Sequence, residues 1–216
     1  KTTTLLMCLG AITPDTGDIE ILGHRLPAGR SAAMVGVGFA AGYLPLPEKL
    51  RVREVLTMFA ELYGVPDTRE AVESGLDRFG IRHLADAMGT ELSSGQRTLV
   101  GIVRATAHHP RLLILDEPTA SLDPDVALRV RVGLEQLCHE EGLALLVTSH
   151  NMSEVERLCE RVLFMKAGRI ILEGTPTEVA ARSGHDSLES VFLELYGAPG
   201  EGRPPRVDER EEPRPA

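Results

Sequence analysis

Apolar positions repeat with two different periods along the chain. Val52, Val55, Leu56, Phe59, Leu62 and Tyr63 recur at helical spacing. Ala71, Val72, Leu76 and Phe79 do the same behind Thr68, a candidate N-cap. Residues from about 48 to 108 therefore read as mainly helical. Other stretches are short and continuously apolar. Arg111–Leu115 (apolar after its first residue) and Leu143–Thr148 (apolar up to its last) have the length of buried strands. Between them Asp125–Glu140 carries Val126, Val130, Leu134 and Leu137 on one stripe, an amphipathic helix. Strands apolar on both faces and alternating with helices predict a parallel sheet covered on both sides.

The flanks complete the expected outline. Thr2–Leu9 is helix-permissive and Gly10 is a plausible stop. Asp18–Leu22 alternates as a strand after the turn Thr13–Gly17, and Ala33–Phe39 is a second short strand candidate. Val162–Met165 and Ile170–Glu173 read as a hairpin through Lys166-Ala167-Gly168-Arg169, and Ser187–Tyr196 as a last helix. The segment 198–216 carries five prolines, two glycines and nine charges, too few apolar groups to fold, and is expected to be disordered. No internal repeat is visible. The expected class is α/β, with a parallel-sheet core, an inserted helical subdomain and a small antiparallel portion.

Composition narrows the function. The net charge of −9 over 216 residues lacks the basic footprint of a nucleic-acid binder. Aromatics at 4% and no tryptophan disfavour base stacking. No apolar run approaches the roughly 18 residues that span a bilayer. The three cysteines, Cys8, Cys138 and Cys159, lack disulfide or zinc spacing and fit a reducing, cytoplasmic setting. His24, His83, His108, His109, His139 and His185 show no ligand spacing.

Candidate chemistry centres on Leu112-Leu113-Ile114-Leu115-Asp116-Glu117, a buried strand ending in two carboxylates. Ligands of an open parallel sheet sit at the carboxyl ends of its strands. Asp116 is placed there to hold a hydrated magnesium ion, and Glu117 to polarise an attacking water. The run continues through Pro118-Thr119-Ala120-Ser121-Leu122-Asp123, and Leu92-Ser93-Ser94-Gly95-Gln96 precedes it.

These strings resemble the ATP-binding cassette (ABC) family. Leu112–Asp123 is similar to its Walker B segment and D-loop, and Leu92–Gln96 to its LSGGQ signature. Lys1-Thr2-Thr3 resembles the end of the Walker A phosphate loop, and His150 the switch histidine. The turn and strand of residues 13–23 fit the same pattern, and the resemblance spans residues 1–196. Because the chain opens on Lys1, inside that loop, it is expected to be a fragment impaired in nucleotide binding.

The resemblance implies a P-loop NTPase fold over 1–197 and a Mg2+-dependent ATPase. Lys1, Thr2 and Thr3 would bind nucleotide phosphates, with Thr2 and Asp116 on the metal. Glu117 and His150 would be catalytic. Ser93, Ser94, Gly95, Gln96 and Asp123 would complete the nucleotide site across a head-to-tail dimer or paired cassette. A transmembrane permease subunit would be the partner, with the chain peripheral on the inner face of the membrane. An exporter subunit is the favoured reading. The alternatives are a non-catalytic regulatory cassette and a soluble, non-transport ABC protein. A chromosome-type member is disfavoured, because no long coiled coil separates Lys1 from Asp116.

Two departures stand out. Ser94 replaces the first glycine of the signature, which implies slower closure. No glutamine occupies the Q-loop region, where Leu46 follows Gly42-Tyr43-Leu44-Pro45. The only glutamines are Gln96 and Gln136. That implies an altered link to a partner.

Overall fold

The computed structural model describes residues 1–42, 44–120 and 122–197. The expectations for Ser121 and for the tail 198–216 lie outside the described residues. In chain order the elements are α1 (Thr2–Cys8), β1 (Glu20–Ile21), β2 (His24–Arg25), α2 (Arg30–Val35), β3 (Val37–Ala41), α3 (Val52–Leu62) and α4 (Thr68–Arg78). Then come α5 (Ser94–Thr106), β4 (Leu112–Asp116), α6 (Pro124–Glu141), β5 (Ala144–Thr148) and α7 (Met152–Leu158). The chain ends with β6 (Val162–Lys166), β7 (Arg169–Gly174), α8 (Pro176–Arg182) and α9 (Leu188–Tyr196).

The centre is a parallel sheet in the order β3-β4-β5. Its register pairs Ala41 with Asp116 and Asp116 with Thr148, so the carboxyl ends of all three strands lie level. Alternation along β4 splits the core between two faces. Leu113 and Leu115 join a cluster with Leu56, Leu76, Phe79, Val103 and Leu134 from α3 to α6. Ile114 joins Leu5, Leu9 and Val37, which seats α1 on the opposite face. Fully burying each such side chain contributes about 1.5–3 kcal/mol. Gly38 lets α5 lie close on β3: a Cβ there would collide with the Ala105 carbonyl oxygen. The Arg30 guanidinium donates to the Leu9 carbonyl at 2.9 Å and caps the end of α1.

The hairpin β6–β7 packs with α7, α8 and α9 around Met152, Val162, Phe164, Val179, Leu188 and Val191, a second core. Strands β1 and β2 form a short antiparallel ladder.

Four expectations need correction. Residues 33–35 are helical, and the strand begins only at Val37 after Gly36. The Ser31-Ala32-Ala33-Met34 run favours helix, and only Ala33 of α2 is buried, so no period-2 face exists to hold a strand. Asp67, rather than Thr68, caps α4: its carboxylate accepts the Glu70 N–H at 3.0 Å. The strand expected over 18–22 shortens to Glu20–Ile21. Strand β5 is half-buried rather than fully covered, since among the described residues it pairs along one edge only. The pattern did not separate α7 or α8 from loop. Each is only seven residues long, under the length at which period is legible.

Candidate nucleotide and metal site

The level strand ends gather polar groups from three elements. Asp116 is 4% exposed. A buried carboxylate needs hydrogen-bond donors, and two hydroxyls supply them. Thr2 Oγ1 donates to Asp116 Oδ2 at 2.9 Å, and Thr148 Oγ1 donates to Asp116 Oδ1 at 2.6 Å.

Glu117 follows in the left-handed region, at φ +51°. That turn carries its carboxylate out of the sheet. Lys1 Nζ stands 3.2 Å from Glu117 Oε1, and His150 Nδ1 stands 2.8 Å from Glu117 Oε2. One carboxylate thus bridges an ammonium and an imidazole, with a side-chain exposure of 30%. At this exposure such pairs contribute at most about 1 kcal/mol each. They are therefore free to exchange partners when an anion arrives.

His150 is aimed by the turn that follows β5. Ser149 Oγ accepts the Asn151 N–H at 3.0 Å, and Asn151 caps α7 by accepting the Glu154 N–H at 3.3 Å. The Thr119 hydroxyl donates to Glu154, which ties the loop after Glu117 to the first turn of α7.

The structure brings together Lys1, Thr2, Asp116, Glu117 and His150. Thr3 is exposed on α1 beside them and makes no side-chain hydrogen bond in that cluster. Ser93, Ser94, Gly95 and Gln96 stand apart. They open α5 through a reciprocal cap, in which Ser93 Oγ accepts the Gln96 N–H at 3.2 Å and Gln96 Oε1 accepts the Ser93 N–H at 2.9 Å. Both serines are exposed. Asp123 is exposed at the start of α6 and caps no N–H. Leu46 is buried in the main core.

Sequence reading missed Thr148. The signal was present, as a single hydroxyl ending an apolar strand that must pair with β4. The donor set suits a hard cation: a buried carboxylate oxygen beside a hydroxyl. Among the described residues no three His, Cys, Asp or Glu side chains converge. Magnesium in phosphate sites needs no such cage, because phosphate oxygens and waters fill its shell.

The profile of the ABC transporter family matches residues 1–120. The chain belongs to that family. Among its ABC relatives, Nod factor export ATP-binding protein I of Rhizobium etli is 34% identical over 203 residues, covering 91% of this chain and 61% of the relative. The protein of the same name in Paraburkholderia xenovorans is 36% identical over 192 residues, covering 88% and 63%. The chain thus spans about three-fifths of these relatives. The fold is similar to a solved ATP-binding subunit of an ABC transporter, with a TM-score of 0.78 and 27% identity over 90% of this chain and 82% of that one. It is also similar to cbiO1 from Clostridium perfringens, part of the ABC transporter complex cbiONQ. There the TM-score is 0.73 and the identity 28%, over 90% and 78% of the two chains. A P-loop ATPase fold follows, with a parallel core and small antiparallel sheets.

Proposed function

We propose that this chain is the ATP-binding and ATP-hydrolysing part of a subunit that powers an ABC membrane exporter. The observation that carries the reading is the bridging of Glu117 between Lys1 and His150, directly beside the Thr2–Asp116 pair. On nucleotide binding Lys1 turns from Glu117 to the phosphate oxygens, as a phosphate-loop lysine does. Glu117 is then free to orient water for in-line attack on the γ-phosphate. His150, held on the far carboxylate oxygen, keeps that water and the γ-phosphate in line. Thr2 and Asp116 would hold magnesium, which when bound offsets charge on the phosphates. The exposed start of α5, with Ser93, Ser94, Gly95 and Gln96, would face the nucleotide of a second cassette in a head-to-tail pair, and Asp123 would lie at that boundary.

The partner would be a permease subunit, with this chain on the cytoplasmic side. Among the described residues no helix is long and apolar enough to cross a membrane, and the relatives in Rhizobium etli and Paraburkholderia xenovorans are named as export ATP-binding proteins. A nucleic-acid partner does not fit the charge of −9. The ATPase would occupy 1–197, with the helices of about 48–108 as the lobe that meets the permease. One observation favours the second reading, a non-catalytic regulatory cassette: Leu46 is buried where the family pattern has a glutamine.

Purification of the full-length protein from detergent-solubilised membranes tests the assignment. A polytopic membrane protein recovered in stoichiometric amount, together with Mg2+-dependent ATP turnover, is expected. Turnover without any membrane partner would favour a soluble cassette. A membrane complex that binds ATP without turning it over would favour the regulatory one.

A further inference from the structure

We propose that Thr148 is a positioning residue of the hydrolytic site, holding both the Asp116 carboxylate and the left-handed turn at Glu117. The inference rests on the reading of Thr2 and Asp116 as the magnesium pair. Thr148 makes three bonds there. Its hydroxyl proton goes to Asp116 Oδ1 at 2.6 Å. A lone pair of the same oxygen accepts the Glu117 N–H at 3.1 Å, and the Thr148 carbonyl accepts that N–H as well, also at 3.1 Å.

The two halves of this contact answer two structural demands. Asp116 is buried at the end of β4, so each carboxylate oxygen needs a donor. Thr2 serves Oδ2 and Thr148 serves Oδ1. A lone pair of the Thr2 oxygen would be available to a cation while its proton stays on Asp116, and Thr148 holds the opposite carboxylate oxygen from β5. Thr148 thereby fixes Oδ1, and Oδ2 lies on the Thr2 side of the carboxylate. Glu117 sits at φ +51°, a conformation that costs energy for a residue with a Cβ and persists only when its surroundings impose it. The forked acceptor on its N–H imposes it. That turn is what aims the Glu117 carboxylate at Lys1 and His150. The parallel register that sets Thr148 opposite Asp116 makes the arrangement a property of the sheet.

Among the described residues no other side chain does both. Ser149 turns to the Asn151 N–H, and Thr119 turns to Glu154. Outer hydrogen-bond partners of metal-holding groups typically change metal affinity or activity by about 10- to 100-fold.

The test compares Thr148→Ala with Thr148→Ser in the full-length protein; Thr148→Val adds an isosteric check. Mn2+ binding in the presence of ATP, followed by electron paramagnetic resonance, is read beside metal-free ATP binding, kcat and melting temperature. Thr148→Ala should weaken Mn2+ about 10- to 100-fold and lower kcat, with metal-free ATP affinity unchanged. Thr148→Ser should restore both, whatever its melting temperature. Equal Mn2+ affinity in the alanine and serine variants overturns the proposal while leaving the site assignment standing. Failure of the parent protein to bind Mn2+ with ATP overturns the assignment and the proposal with it.

Discussion

The ring of Phe79 lies directly on the bare Cα of Gly133: a Cβ added there would stand 2.6 Å from Cε1 and 2.8 Å from Cδ1. Phe79 ends α4, Gly133 lies in the middle of α6, and the ring is 1% exposed. This contact joins the helical lobe to the sheet core. Alanine in place of glycine in a helix gains about 0.5–1 kcal/mol, while forcing a methyl into a packed core costs about 1–3 kcal/mol. The collision wins, so Gly133→Ala should lower stability by roughly 1–2 kcal/mol. Gly101, in α5, is the control: a Cβ there meets nothing within 4 Å. Gly101→Ala should raise stability by about 0.5–1 kcal/mol. Urea unfolding of the two variants checks both signs.

His108 makes stability depend on pH. Its ring stacks on Tyr63 with centroids 3.9 Å apart, and both ring nitrogens are shut from solvent without a hydrogen-bond partner. Burial pushes its pKa down. The Val37 backbone, outside strict hydrogen-bond geometry, opposes this, and neighbouring His109 adds to the fall. The folded value therefore lies below the unfolded one, near 6.5. Above about pH 6.5 both states are neutral at this site and nothing is lost. As pH falls through that value the unfolded state takes up the proton first, and stability drops. Melting temperatures at about pH 7.5 and 5.5 should differ less in His108→Phe than in the parent. An equal or larger drop in the variant would contradict the reading.

Thiol chemistry follows from burial too. Burial raises all three cysteines, and it pushes Cys159 up to about 11, with Cys138 adding to the rise. The thiolate is the reactive form. At about pH 8 the native Cys159 should react with a disulfide reagent on the order of 100-fold more slowly than in urea. Its rate should climb with each pH unit. Three thiols titrating at the unfolded rate would show that these side chains are open.

Much of this arrangement was legible in the chain, and the parts that were not have physical reasons. The apolar runs around Leu113 and Leu145 marked the sheet because strands covered on both faces leave few alternatives. Asp116 and Glu117 could be found because one ends such a strand and the other directly follows it, and His150 because it resembles the family's switch histidine two residues beyond β5. Thr148 escaped because its role depends on register, which a strand's own residues do not reveal. The helix at Arg30–Val35 was misread because Ala33 and Met34 are apolar enough for a strand end, while the preference that decides, for helix, is weak per residue. The signature residues were legible as a string, yet within one chain they form only a helix cap.

The most direct test of the central claim compares ATP turnover by the full-length protein with that of Glu117→Gln, with ATP binding measured alongside. Glutamine keeps the shape but removes the charge that Lys1 and His150 share. Turnover should fall by about 100-fold or more, with ATP still bound, as expected for loss of a positioned base. A glutamine variant that hydrolyses ATP at the parental rate would contradict the assignment of Glu117, and with it the account of the site.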